Sequence, residues 1–289
     1  FKLEKNLYYY MACPGYKYFL SCCALIKNED KFLKEWLDHY MSEGVEHFYL
    51  IDNGSTDNTM DIIKEYDNIT LFKDNRKYPE KQQKMYMDNL LPVIKESKWS
   101  MIVDADELMK GQNNYTIKSY LETIPNNINC IYVIWKMFFN KTNDISKMSD
   151  VKSRFNYDYL NDEKITDCPH KYKALRYFLM FGKSIFRSVN IDIVRVHKQV
   201  TRGEMINNFN IKLDIFPDTI FKSCNYINET TLKKANIVLN HYFIKTKKDY
   251  NNRIKKTKEI GGWNCPGWDY LGFLINLYNL DNKYITVEE

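Results

Sequence analysis

Between residues 18 and 111 the chain switches repeatedly between two rhythms of apolar and polar positions. Short, nearly continuous apolar runs at 18–26, 47–51, 69–72 and 99–103 have the length and aromatic or β-branched content of buried strands. After the first, Phe32, Leu33, Trp36, Leu37, Tyr40 and Met41 recur at three- and four-residue steps, the apolar stripe of a helix. Gly44 fits the C-terminal cap of that helix. Met60, Ile62 and Ile63 mark a second helix, which Ser55 or Thr56 can cap. A third, of about 15 residues, is expected around Gln83, Met87 and Leu91. Strands alternating with helices predict βα units and a mostly parallel sheet flanked by helices, the α/β class.

Past Gly111 the alternation weakens. The spacing predicts strands over 131–139, 184–187, 191–196 and 236–244, a polar loop over 141–165, and helices over 247–260 and 268–280. This divides the chain into a lead-in (1–17), one large domain (18–260) and a C-terminal helical extension (261–289). The basic run from Lys245 to Lys258 reads as a solvated helix face.

Three polar clusters follow three of the predicted strands: Lys27-Asn28-Glu29, Asp52 to Asp57, and Asp104-Ala105-Asp106-Glu107. In an open α/β sheet the loops beyond the carboxyl ends of parallel strands form the ligand crevice, so the three are expected to converge. Carboxylates at positions i and i+2 at a strand end can both turn to one divalent cation, and hard oxygen ligands suit Mg²⁺ or Mn²⁺. Glu107 reads as a supporting residue rather than a ligand.

Bulk properties narrow the picture. A 289-residue chain with 44% hydrophobic and 15% aromatic residues can bury a substantial core. A net charge of +5, with both signs interspersed, argues against nucleic-acid binding. Seven cysteines without a C-x-x-C pair argue against a disulfide framework and point to the cytoplasm or another reducing compartment. No apolar run approaches a membrane span. The start at Phe1 fits a piece of a longer protein.

The first strand is not followed by a glycine-rich turn, which excludes a Rossmann dinucleotide site, and no G-x-x-x-x-G-K-[ST] is present. A sheet remains whose side chains, rather than a glycine loop, meet a nucleotide. The Asp52 loop can bond a base or ribose, and Asp104 with Asp106 can hold a cation bridging a diphosphate. That set suits transfer of a sugar from a nucleoside-diphosphate donor. A sugar-phosphate nucleotidyltransferase is the alternative enzyme, but it calls for a basic glycine-rich loop after the first strand. A non-catalytic carbohydrate-binding module of the same fold is the alternative without chemistry.

The chain resembles GT-A fold glycosyltransferases, in particular glycosyltransferase family 92 and related single-domain transferases. The similar stretches are Lys27-Asn28-Glu29 with Glu35-Trp36-Leu37, Gly44-Val45-Glu46-His47-Phe48-Tyr49, Asp52 to Asp57, Trp99, Val103 to Leu108, and Trp135-Lys136-Met137-Phe138. Weaker matches follow at Arg154-Phe155, Lys183-Ser184-Ile185, His197, and Asn240-His241-Tyr242 with Lys245. The resemblance implies a nucleotide-binding half over 18–111 and an acceptor-side, metal-completing half over 112–260. It implies that Leu25, Lys27, Asn28 and Glu29 border the nucleotide, that Asp52 meets the base or ribose, and that Asn53 and Asp57 shape its loop. Asp104 and Asp106, flanking Ala105, then form the metal-binding pair, His241 is the second metal anchor, and Lys245 meets the diphosphate. Arg76 and Gln83 are further donor-side candidates. The implied donor is a UDP-sugar with Mn²⁺ or Mg²⁺, and the implied acceptor is a glycan or glycoprotein. Relatives carry a glycine after the Trp-Lys-Met-Phe stretch where this chain has Phe139-Asn140, so acceptor preference does not carry over. A base for the acceptor hydroxyl is sought among Asp144, Asp150, Asp158, Asp162, Glu163 and Asp167, with Asp150 or Asp144 favoured by their place after the fifth strand.

Overall fold

The computed structural model describes residues 15–78, 81–142, 145–162, 179–213, 227–259 and 270–288. Four parallel strands, β1 (Tyr18–Ile26), β2 (His47–Asp52), β3 (Ile69–Lys73) and β4 (Ser97–Ile102), lie in the order β3-β2-β1-β4. β1, β2 and β4 are largely buried on both faces, which explains why their apolar runs are continuous rather than alternating, while the edge strand β3 is only half-buried. Helix α1 (Leu33–Ser42) buries Leu33, Trp36, Leu37 and Tyr40. It ends at Gly44, whose φ of +93° is the left-handed turn that glycine adopts without strain.

The helix expected around Gln83 is shorter than its pattern: α3 covers Gln82–Asn89, eight residues. Pro92 excludes helical backbone at Leu91 and has no N–H to continue the ladder. Helix α2 (Thr59–Ile63) has no side-chain cap from Ser55 or Thr56; Asp57 Oδ1 instead accepts the Thr59 N–H at 3.0 Å.

The second half extends the sheet with mixed directions. Strand β5 (Glu107–Gly111) leads through α4 (Ile117–Thr123) to β6 (Ile128–Phe139), a buried strand of 12 residues. Next come β7 (Ser153–Phe155), β8 (Gly182–Arg187), β9 (Glu204–Asn207) and β10 (Lys212–Leu213). Helix α5 (Glu229–Lys234) precedes β11 (Ile237–Ile244), and α6 (Lys247–Glu259) and α7 (Tyr270–Tyr278) follow it. β8 joins the halves, antiparallel to β4 on one side and to β6 on the other. β11 runs parallel to β6 and antiparallel to β5, with His241 opposite Glu107.

Two expectations differ here. The segment 191–196 makes one isolated bridge, Ile191 to Thr201, rather than a strand. The C-terminal segment is not wholly helical: β12 (Ile285–Val287) pairs antiparallel with β7 inside the predicted polar loop. Cys22, Cys23 and Cys130 are buried thiols. Among the described residues no helix is long and apolar enough to cross a membrane.

Candidate active site

The three polar loops leave the carboxyl ends of β1, β2 and β4, and the first two are tied to each other by side chains. Asn28, with φ of +56°, sends Oδ1 across to the Thr56 N–H at 2.7 Å, while Ser55 Oγ accepts the Asn28 N–H at 3.0 Å. Thr59 Oγ1 accepts the Glu29 N–H, and Asp57 Oδ2 accepts the Asp30 N–H. Burial pushes the Asp57 carboxyl up, but the bonds from Thr59 and Asp30 outweigh it and leave it below its ordinary value. Asp52 is the last residue of β2, nearly buried, and its Oδ1 accepts the Ser55 N–H at 3.0 Å. Asn53 is turned inward, its amide donating to the carbonyls of Asp74 and Arg76 at 2.6 and 2.9 Å. It holds the strand-end loops together. Leu25 is half-buried on β1 and Lys27 is exposed.

The acidic loop after β4 is anchored from three directions. Trp36 Nε1 donates to the Asp104 carbonyl at 3.1 Å. Glu107, fully buried at the start of β5, accepts the Asp104 N–H at 2.8 Å and the Trp135 Nε1–H at 2.7 Å. Lys183, fully buried on β8, donates to Asp104 Oδ2 at 2.9 Å and stands 3.8 Å from Glu107 Oε2. Burial pushes the Glu107 carboxyl up against the pull of Lys183. Ala105 is buried, and a small residue there lets the two aspartates flank a tight turn.

Asp106 meets the C-terminal half. The Tyr242 N–H donates to the Asp106 carbonyl at 2.8 Å, pinning the loop to β11. Asp106 Oδ1 lies 3.5 Å from His241 Nε2, Oδ2 lies 2.7 Å from Arg253 Nη2, and Lys245 Nζ stands 4.0 Å from Oδ2. Burial opposes ionisation of Asp106, yet His241, Lys245 and Arg253 hold its carboxyl well below the usual range. Burial lowers the His241 imidazole from its ordinary value against the opposing pull of Asp106. Its ring packs on Trp135 with centroids 4.3 Å apart, and Nδ1 is buried without a hydrogen-bond partner. Burial lifts the Glu29 carboxyl to about 7 despite the opposing pull of Lys245, so Glu29 belongs to the same pocket of charge.

A divalent cation fits one part of this arrangement. His241 Nε2 and Asp106 Oδ1 face each other at 3.5 Å, an imidazole nitrogen and a carboxylate oxygen of the kinds that can hold Mn²⁺, while the ring's other nitrogen, Nδ1, is buried without a hydrogen-bond partner. Asp104 Oδ2 accepts a hydrogen bond from the Lys183 ammonium at 2.9 Å. Among the described residues no group of three carboxylate, thiol or imidazole side chains is placed to hold a metal ion, so a cation here would draw its remaining ligands from elsewhere.

The remaining candidates among the described residues are held by partners other than Asp106. Arg76 is paired with Asp74 and with Asp88, and Gln83 donates its amide to the Val194 carbonyl. Asp150 Oδ2 accepts the N–H groups of Ser146 and Lys147 and the Ser146 hydroxyl; these bonds close its own exposed turn and hold its carboxyl below the ordinary value. It is a turn anchor, with no geometry that favours it as a base. Asp144, Glu163 and Asp167 lie outside the described residues. His197 packs edge-on to Trp135, and burial depresses it to about 3. Sequence reasoning assigned no role to Lys183 and missed Arg253, though Asp249 and Arg253 stand four residues apart on α6 and so share one helix face.

Curated relatives share short stretches: a glycosyltransferase family 92 protein of Oryza sativa subsp. japonica is 23% identical over 104 residues, covering 35% of this chain and 18% of that protein. A family 92 protein of Ricinus communis is 27% identical over 93 residues, 32% of this chain and 16% of its own length. The matched stretch is thus less than a fifth of either curated relative. Among solved structures, Staphylococcus aureus TarS 1–349 is 17% identical with a TM-score of 0.39, covering 59% of this chain and 47% of that one. Glucosyl-3-phosphoglycerate synthase from Mycobacterium tuberculosis, in complex with Mn²⁺, UDP and phosphoglyceric acid, is 13% identical with a TM-score of 0.33, covering 60% and 57%. The model for glycosyltransferase family 92 matches residues 17–261, nearly the whole of the sheet and every loop of the site, and the chain belongs to that family.

Proposed function

We propose that this glycosyltransferase moves a sugar from a UDP-sugar to a hydroxyl acceptor with the help of Mn²⁺ or Mg²⁺. The observation that carries the reading is the meeting of Asp106, from the end of a parallel strand, with His241 and Lys245 from the far end of the chain. Loops from β1 and β2 flank it, and the Asp52 carboxylate, held by Ser55, suits a base or ribose hydroxyl. UDP-bound TarS and the Mn²⁺- and UDP-glucose-bound synthase have the ligands this reading calls for.

In this scheme Asp52 orients the nucleoside and the Asn28–Ser55–Thr56 ties keep its loop from opening. Asp106 and His241 would hold the cation, which neutralises charge that builds on the departing diphosphate. Lys245 adds a fixed positive charge beside it, already in position, so that little reorganisation accompanies bond breaking. Asp104 acts by shaping the loop, through Lys183 and Trp36, more than by direct ligation. A glycan or glycoprotein hydroxyl attacks the anomeric carbon as the diphosphate leaves.

Calorimetric titration of UDP with and without Mn²⁺ tests the reading. Binding is expected only with the cation, and absence of UDP binding at every cation concentration would reject it. Release of pyrophosphate from a nucleoside triphosphate would favour a nucleotidyltransferase instead.

A further inference from the structure

Arg253 sits where a solvated helix face was expected, yet its side chain is only 25% exposed. The two oxygens of Asp106 are divided between different partners: Oδ1 faces His241 at 3.5 Å, and Oδ2 carries Arg253 at 2.7 Å. The guanidinium is also held from behind. It lies 4.6 Å over the Phe243 ring, and its Nε stands 3.4 Å from Asp249 Oδ1. Asp249 Oδ2 in turn accepts the Lys245 N–H at 3.0 Å, so the acid that anchors Arg253 also fixes the start of α6. Asp106 is therefore not the sole contact of the guanidinium, which also meets Asp249 and Phe243.

Charge decides what a swing of the guanidinium away from Asp106 accomplishes. A divalent cation bound between Asp106 and His241 brings two positive charges beside the guanidinium, and both compete for one carboxylate. A guanidinium released there is a planar fork matched to phosphate oxygens, on the side of the loop where Lys245 also lies. We propose that Arg253 is the counter-ion that a divalent cation displaces from Asp106, and that the displaced guanidinium takes the donor diphosphate, making cation and donor bind cooperatively. This rests on the donor and cation reading above.

The test titrates Mn²⁺ alone, and then UDP at saturating Mn²⁺, into the full chain and its Arg253→Gln and Arg253→Lys variants. Arg253→Gln should bind Mn²⁺ alone about tenfold more tightly and UDP about tenfold more weakly, within the usual range of coupling between linked sites. Arg253→Lys keeps a competing charge without the fork, so its Mn²⁺ affinity should stay near that of the unaltered chain while UDP remains weakened. Unchanged or weaker Mn²⁺ binding in Arg253→Gln overturns the proposal, and so does unchanged UDP binding in both variants. If Arg253→Gln fails to fold, the Arg253→Lys pair of affinities decides alone. Absence of UDP binding to the unaltered chain defeats the underlying donor reading instead, so the two failures are distinct.

Discussion

Two clusters of charge lie on opposite sides of β6 and β11, and they are built to different rules. In one, Arg154 grips Glu229 with both terminal nitrogens at 2.8 and 2.6 Å and reaches Glu288 with Nε at 2.6 Å, while Lys136 meets Glu288 at 2.5 Å. Glu229 also accepts the Tyr157 N–H. Two cations face two carboxylates and each carboxylate is used from more than one direction. In the other, Asp106 meets Arg253 and Lys245 on one oxygen and the His241 imidazole on the other. The first cluster is a closed account of hydrogen bonds that clamps β12 onto β7, and nothing further can join it without loss. The second shares one carboxylate among two cations and an imidazole, and the far ring nitrogen of that imidazole is buried without a hydrogen-bond partner. Burying polar groups is costly unless they are satisfied, so an incomplete cluster held rigidly by its surroundings points to a ligand rather than to stability.

Breaking each cluster should give opposite readouts. Asp106→Asn keeps the shape of the loop but removes the charge that faces His241, and should lower turnover by about 10³-fold with little change in melting temperature. Turnover measured with a panel of UDP-sugars checks it; loss below tenfold would contradict the assignment. Arg154→Met leaves Glu229 and Glu288 without their common partner, and should cost about 3–5 kcal/mol in urea unfolding. Donor affinity in the fraction that remains folded should be unchanged. A variant that loses UDP binding while keeping its stability would mean that the closed cluster reaches the site.

The same contrast explains what the sequence disclosed. β1, β2 and β4 and their three polar loops were legible because strands buried on both faces show as unbroken apolar runs, and because loops at their carboxyl ends converge by topology. Asn28 reaching Thr56 was hidden, since a cross-loop bond between residues 28 apart leaves no periodic trace. β12 was read as part of a helical extension because a three-residue strand is too short to declare a period; its partner β7 and the Glu288–Arg154 pair put it in place. Lys183 looked like one more lysine, although it is the fully buried ammonium that bonds Asp104. Arg253 was concealed among basic neighbours, where only its four-residue spacing from Asp249 set it apart. Local pattern reveals elements and loop chemistry, whereas partners brought from distant strands need the fold.

Acid should separate the clusters further. Burial pushes the Glu229 and Glu288 carboxyls up, but Arg154 and Lys136 more than compensate and leave both below the unfolded value of 4.5. Stability from these groups is therefore present above about pH 4.5 and is lost as pH falls through their lower folded values. Urea unfolding between pH 7 and pH 3 should show Glu229→Gln less stable than the unaltered chain at neutral pH, with the gap closing on the acid side. A gap that holds constant with pH would mean that the clamp works through packing and not through charge.

The smallest effect is expected where the open cluster meets its outer wall. Asn28 combines a left-handed backbone with a bond to the Thr56 N–H, and it is exposed. Asn28→Ala loses the bond and also places a Cβ in a strained backbone; Asn28→Gly loses the bond but relaxes the strain, at the price of a looser chain. If Asn28 serves only to shape the turn, Asn28→Gly should match the parent. If the tie holds the Asp52 loop against the nucleotide, both variants should raise the donor KM by a few-fold, about 1 kcal/mol, and leave kcat alone. The second outcome is the expected one, because Asn28 donates to Ser55 and accepts from Thr56 across the two loops, which a turn closing on itself does not require.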